Sequence, residues 1–101
     1  MATVDFTVTR YGKGMSAGTI RSSYVKTSGQ DAITTVENLE DAGGDITLAA
    51  GDVLALHCSA AMRVRFGGVA ASGTTGHYIP ATTLVEIECE DPGTVSMIEA
   101  T

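Results

Sequence analysis

The chain predicts an all-β fold: a single β-sandwich of jelly-roll-like character, or a small barrel, with about seven to eight mostly antiparallel strands. Three observations carry this. Several short runs alternate apolar and polar residues one for one, as in Val4, Phe6 and Val8 against Asp5, Thr7 and Thr9. Glycine- or proline-containing turns separate these runs at short intervals. The 101 residues include no Trp and only five aromatics, Phe6, Tyr11, Tyr24, Phe66 and Tyr78, so Val, Ile and Leu must fill the core. A chain of this length has room for one domain over 1–101, and would bury roughly two thirds of the surface its unfolded form exposes.

Taken in order, the first strand puts Val4, Phe6 and Val8 on one face. Arg10 to Gly18, "RYGKGMSAG", holds three glycines and two basic residues and reads as a flexible loop that cannot sustain a ladder. Thr19 to Lys26 is extended but mixed. Ala32 to Leu39 is read as strand, although Ile33, Val36 and Leu39 are spaced by three. Gly43-Gly44 ends it, and Ile46 and Leu48 open a run that turns at Ala50-Gly51-Asp52. Val53 to Leu56 is continuously apolar, which predicts a strand covered on both faces at the centre of the core. Met62, Val64 and Phe66 alternate with Ala61, Arg63 and Arg65 until Gly67-Gly68, and "ASGTTG" follows as a loop. Val85, Ile87 and Cys89 oppose Glu86, Glu88 and Glu90, and the turn at Asp91-Pro92-Gly93 is expected to return the chain through Val95 and Met97 as a closing hairpin.

Charge and motif content narrow the function. Twelve acidic against six basic residues give a net charge of -6, which repels free nucleic acid and anionic membranes. No apolar run approaches the ~20 residues that span a bilayer, and Met1-Ala2-Thr3-Val4-Asp5 lacks the regions of a signal peptide, so a protein made and used without export is expected. Cys58 and Cys89 are too few for a disulfide scaffold and read as small buried apolar residues, with a late disulfide as the second reading. His57, Cys58, His77 and Cys89 lack the pairing of a zinc site. Adjacent strand residues face opposite sides, so His57 and Cys58 do not form a nucleophile–base pair.

Other chemistries fare no better. The paired strand histidines of metal-binding cupins are missing. Glu86 and Glu88, roughly 7 Å apart on one strand face, suit a solvated acidic surface better than a glycosidase pair. "YGKGMSAG" lacks the order of a phosphate-binding loop, and reads as a mobile loop or as an arm that orders on a partner through Arg10 and Lys13. Three tyrosines without tryptophan make a poor sugar platform. No enzyme activity, metal or cofactor is therefore expected.

From Leu48 to Glu99, about half of the chain, the sequence resembles small β-sandwich virion proteins of tailed bacteriophages, in particular capsid decoration or cement proteins. Four pieces carry the likeness: Gly51-Asp52 before an apolar strand, "MRVRFGG", the entry into "HYIPATT", and "PGTVSMIEA". The resemblance implies a homo-oligomer, such as a trimer, made in the host cytoplasm and bound on the outer surface of the virion to the lattice of the major capsid protein. The expected partner contacts are Val4 and Phe6 on a first strand that, itself or through its preceding tail, adds to a capsid sheet edge, Arg10 and Lys13 on the arm, and a charged face shared by Arg63 and Arg65 with Glu86 and Glu88, either across one pair of strands or across a subunit boundary. The rival readings are a tail, fibre or head–tail connector component, a sugar-binding module, and a small metal enzyme.

Overall fold

The structure, a computed structural model, describes residues 2–11 and 23–101. Among these residues there is no helix and there are twelve strands: β1 (Ala2–Tyr11), β2 (Ser23–Ile33), β3 (Glu37–Asn38), β4 (Glu40–Asp41), β5 (Gly44–Asp45), β6 (Thr47–Leu48), β7 (Val53–Cys58), β8 (Met62–Arg65), β9 (His77–Ile79), β10 (Leu84–Glu88), β11 (Gly93–Thr94) and β12 (Ser96–Glu99). That exceeds the seven to eight strands expected: seven span three residues or more, and the other five are two-residue strands. All pairings are antiparallel. A first four-stranded sheet has the order β10-β7-β1-β2 and a second the order β3-β12-β8-β9, alongside two small ladders, β11-β6 and β4-β5.

Period-two alternation delivers the core. Val4, Phe6 and Val8 of β1 lie beside Leu54, Leu56 and Cys58 of β7, and meet Met62 and Val64 of β8 and Met97 of β12 in one buried cluster. Each fully buried aliphatic side chain of this kind contributes about 1.5–3 kcal/mol. Leu39, Ile46, Leu48 and Val95 complete the cluster from the short elements.

Four expectations need correction. The run Val53 to Leu56 is not covered on both faces: Leu54 and Leu56 are buried, but Val53 and Ala55 are half-buried and His57 is exposed. β7 is central in its sheet, yet no described strand lies over the outer face of that sheet, and small side chains make the run look more buried than it is. Ala32 to Leu39 is not one strand, because β2 ends at Ile33, Thr34 to Val36 bend, and β3 begins at Glu37. Of the three apolar residues spaced by three, Ile33 and Leu39 are buried, whereas Val36 faces solvent. Arg10 is a strand residue, paired with Tyr24, so the expected loop does not start there; the rest of that stretch, from Gly12, lies outside the described residues.

The fourth correction concerns Asp91-Pro92-Gly93. Gly93 takes the positive φ (136°) that only glycine adopts readily, as the turn chemistry predicts, but the flanking strands do not pair with each other. β10 pairs with β7, while β12 pairs with β8 and β3. The turn hands the chain from one sheet to the other.

Candidate functional site

Each residue predicted to contact a partner has a definite place. Val4 and Phe6 are core residues, and β1 is hydrogen-bonded on both sides, to β2 and to β7. A strand with no free edge cannot receive another, so the expected strand addition by β1, and with it contact through Val4 and Phe6, is overturned. Lys13 lies outside the described residues. Arg63 and Arg65 stand on β8 of the second sheet and Glu86 and Glu88 on β10 of the first; they do not face each other across a strand pair. Glu86 and Glu88 are exposed, as expected, opposite Ala55 and Val53.

Arg10 makes a contact that its sequence neighbours do not announce. Its Nε donates to Asp52 Oδ1 at 2.9 Å and its Nη2 to Oδ2 at 3.1 Å, a two-pronged guanidinium–carboxylate pair. Lys26 Nζ donates to the same Oδ2 at 3.3 Å and to the Thr47 carbonyl at 2.8 Å, and the Ala49 amide donates to Oδ2 at 2.9 Å. The backbone explains how Lys26 arrives there. Val8 pairs with Thr27 but Thr9 pairs with Val25, so Lys26 is the extra residue of a β-bulge, turned out of the ladder toward the β6–β7 turn. Asp52 is 1% exposed. The Arg10 bond is the largest cause holding its carboxyl down to about 2, against the opposing effect of burial, with Ala49 and Lys26 adding to the depression. This cluster ties β1, β2 and the turn before β7 together; it is structural, and its groups are already engaged with one another.

The thiols are buried and free, as expected. His57 is exposed while Cys58 is fully buried, so the two point to opposite faces. Burial, and next the charge of Asp5, pushes the Cys58 thiol up to about 11. An internal disulfide is ruled out by register. Cys89 donates its amide to the Asp52 carbonyl just before β7, whereas Cys58 ends β7; six residues of strand separate those points, roughly 20 Å, against the ~7 Å limit of a disulfide. The same separation keeps the two thiols from sharing a zinc ion, and among the described residues no group of His, Cys, Asp and Glu could hold a metal. Both native thiols should resist an aqueous disulfide reagent and react only on unfolding, and Cys58→Ala should cost about 1–2 kcal/mol through lost packing. Fast stoichiometric labelling of the native protein would contradict burial.

Among the described residues two surfaces on and beside the second sheet remain open for contact, and a third lies on the first sheet. On the second sheet Met62 and Val64 enter the core, so Arg63 and its cross-strand neighbour Tyr78 emerge on the opposite face. The Arg63 guanidinium carbon stands 5.0 Å from the centre of the Tyr78 ring, a cation–π arrangement worth about 0.5–1 kcal/mol at an exposed site. Arg63 Nη1 donates to the Gly76 carbonyl at 3.3 Å and Nε is buried without a hydrogen-bond partner. Tyr78 itself is 53% exposed. The other surface is a flank where β9 and β10 border the core and the Phe66 and His77 rings meet at 5.7 Å between centroids, tilted by 60°. On the outer face of the first sheet, a shallow hollow of about 400 Å³ is lined by Asp5, Thr7, Ser28, Ala55, His57 and Leu84. Its lining mixes apolar and polar groups, and Asp5 accepts a hydrogen bond from Gln30 at 2.9 Å, with no nucleophile–base contact there. Tyr78 was the residue sequence reading missed, because its place opposite Arg63 follows from the pairing of β8 with β9 and from no local pattern. Compared with protein-family models, with curated proteins and with solved structures, the chain matches none.

Proposed function

We propose that the chain is a β-sandwich module that decorates the outer surface of an assembled phage capsid, binding the lattice of the major capsid protein as a homo-oligomer and fastening it. The two four-stranded sheets, each turning one row of side chains into a common cluster, support the sandwich reading. The observation that carries the binding role is the exposed Tyr78 laid against Arg63 on the outer face of the second sheet. Tyrosine and arginine dominate the energetic centres of protein interfaces, because each combines a large apolar contact area with a polar end. The resemblance over Leu48 to Glu99 supplies the partner. "MRVRFGG" and "HYIPATT" meet side by side as β8 and β9, the strands that bear Arg63 and Tyr78.

The mechanism is mechanical linkage. A copy that bridges neighbouring capsid subunits must let go before the shell opens there, and many modest contacts add through multivalency. Purified protein should bind preformed cognate capsids at fixed stoichiometry, and decorated particles should survive heating or chelation that bursts bare ones. Tyr78→Ala should weaken capsid binding at least about tenfold, the loss of 1.4 kcal/mol or more expected of an interface centre, while leaving the fold intact. Recovery of the protein solely in the tail fraction of virions, or failure to bind any cognate capsid, would defeat this reading and favour a tail or fibre component.

A further inference from the structure

The described residues leave the core open along one flank. β10 is the outer strand of the first sheet and β9 the outer strand of the second, and near these edges Phe66 and Ile87 pack on the core cluster while staying only partly covered. Two adjoining hollows of about 450 and 260 Å³ meet at Phe66, His77 and Asp91. The rim of the smaller one carries Glu88, Glu90 and Asp91, and the exposed Val69 lines the larger. A slot with an apolar floor and a carboxylate rim suits a segment that is basic, carries aliphatic side chains and has no acidic residue.

The chain contains such a segment. Of its six basic residues, Arg10 and Lys26 are engaged with Asp52, Arg63 lies against Tyr78, and Arg65 lines the larger hollow itself and not the smaller one. Lys13 and Arg21 fall within residues 12–22, together with Met15 and Ile20 and without a single Asp or Glu. The segment also starts in the right place. Thr9 of β1 and Glu88 of β10 both pair with Val53 from opposite sides, so β1 leaves the first sheet at the end of the molecule where Glu88 to Asp91 lie.

We propose that residues 12–22 of a second copy of this chain dock in the slot between β9 and β10, with Lys13 and Arg21 meeting Glu88, Glu90 and Asp91, and an aliphatic side chain covering Phe66 and Ile87. The proposal shares with the decoration reading only the expectation of a homo-oligomer. Capsid binding plays no part in its test, so either can fail alone. The test is sedimentation equilibrium of the full chain and two charge-reversed variants, Lys13→Glu/Arg21→Glu and Glu88→Lys/Glu90→Lys. The wild type is expected to self-associate, and each variant to do so at least about a hundredfold more weakly, since like charges then face each other. An equimolar mixture of the two variants should associate again, because the reversed segment of one copy matches the reversed slot of the other. Glu88→Gln/Glu90→Gln, a milder change at two exposed positions, should weaken association by about tenfold. A wild type that stays monomeric, an oligomer indifferent to both reversals, or a mixture that remains dissociated overturns the proposal.

Discussion

Asp52→Ala is expected to cost about 3 kcal/mol of folding stability, measured as a drop in the denaturation midpoint at neutral pH, at the low end for breaking a buried ion pair. The carboxylate is buried while Arg10 and Lys26 are partly exposed, so the stranded cations can rehydrate and the penalty stays moderate. What cannot be recovered is the joint itself: three side chains, the Ala49 amide and the Thr47 carbonyl all meet there. The pH dependence has a definite sign. The folded pKa of about 2 lies below the ordinary 3.8, so the group contributes its stability in full above about pH 4 and loses it as pH falls through 2. That depression corresponds to about 2 kcal/mol. Asp52→Asn should therefore flatten the acid limb of the stability profile between about pH 4 and 2, and an unchanged limb would show that the carboxylate is not held by these partners. Arg10→Ala combined with Asp52→Ala should be less than additive.

Gly76→Ala is the second large effect expected, about 2–4 kcal/mol. Gly76 sits at φ 127°, where an L side chain is strained, and an added Cβ would come within 2.8 Å of the Val64 carbonyl oxygen and 3.0 Å of Arg65 Cγ. The carbonyl belongs to β8, which is paired on both sides, so it cannot move aside. Gly73→Ala makes the control. Its Cβ would also come too close to a neighbour, 2.7 Å from Thr101, but that neighbour is a side chain able to swing away, and the cost should stay below about 1 kcal/mol. Equal losses at both positions, read by thermal unfolding, would mean that backbone rigidity at Val64 is not the cause.

Alternation made the faces of β1 and β10 legible, because one side of each packs on the core and the period of two has a single consistent reading. It says nothing about neighbours. Val85, Ile87, Val95 and Met97 all point inward, yet the strands that carry them belong to different sheets, and a turn with the residues of a hairpin serves equally well as a crossing. Charged faces were limited in the same way: Arg63 and Glu86 were each correctly turned outward, but on strands of different sheets that do not pair within the chain. Asp52 was hidden more deeply. An acid after glycine reads as a turn residue, and only the bulge at Lys26, which no local pattern marks, brings the second cation to it. Of the candidate contacts, the outward positions of Arg63, Arg65, Glu86 and Glu88 could be read; the engagement of Arg10 and the importance of Tyr78 required knowing which strands lie side by side.

The crossing at Asp91-Pro92-Gly93 also bears on how the chain reaches this fold. β12 runs between β3 and β8, and Met97 and Val95 are wholly buried, so the second sheet lacks an inner strand until residues near 97 are in place. The first sheet is delayed in the same way, since β1 must wait for β7, and β7 in turn for β10. Neither sheet can be assembled from one contiguous stretch, and the loop-closure entropy of these distant pairings has to be met before their contacts stabilise anything. Folding on the millisecond-to-second scale follows, with partial chains left holding unpaired strand edges, a state in which association between chains competes with completion of the core.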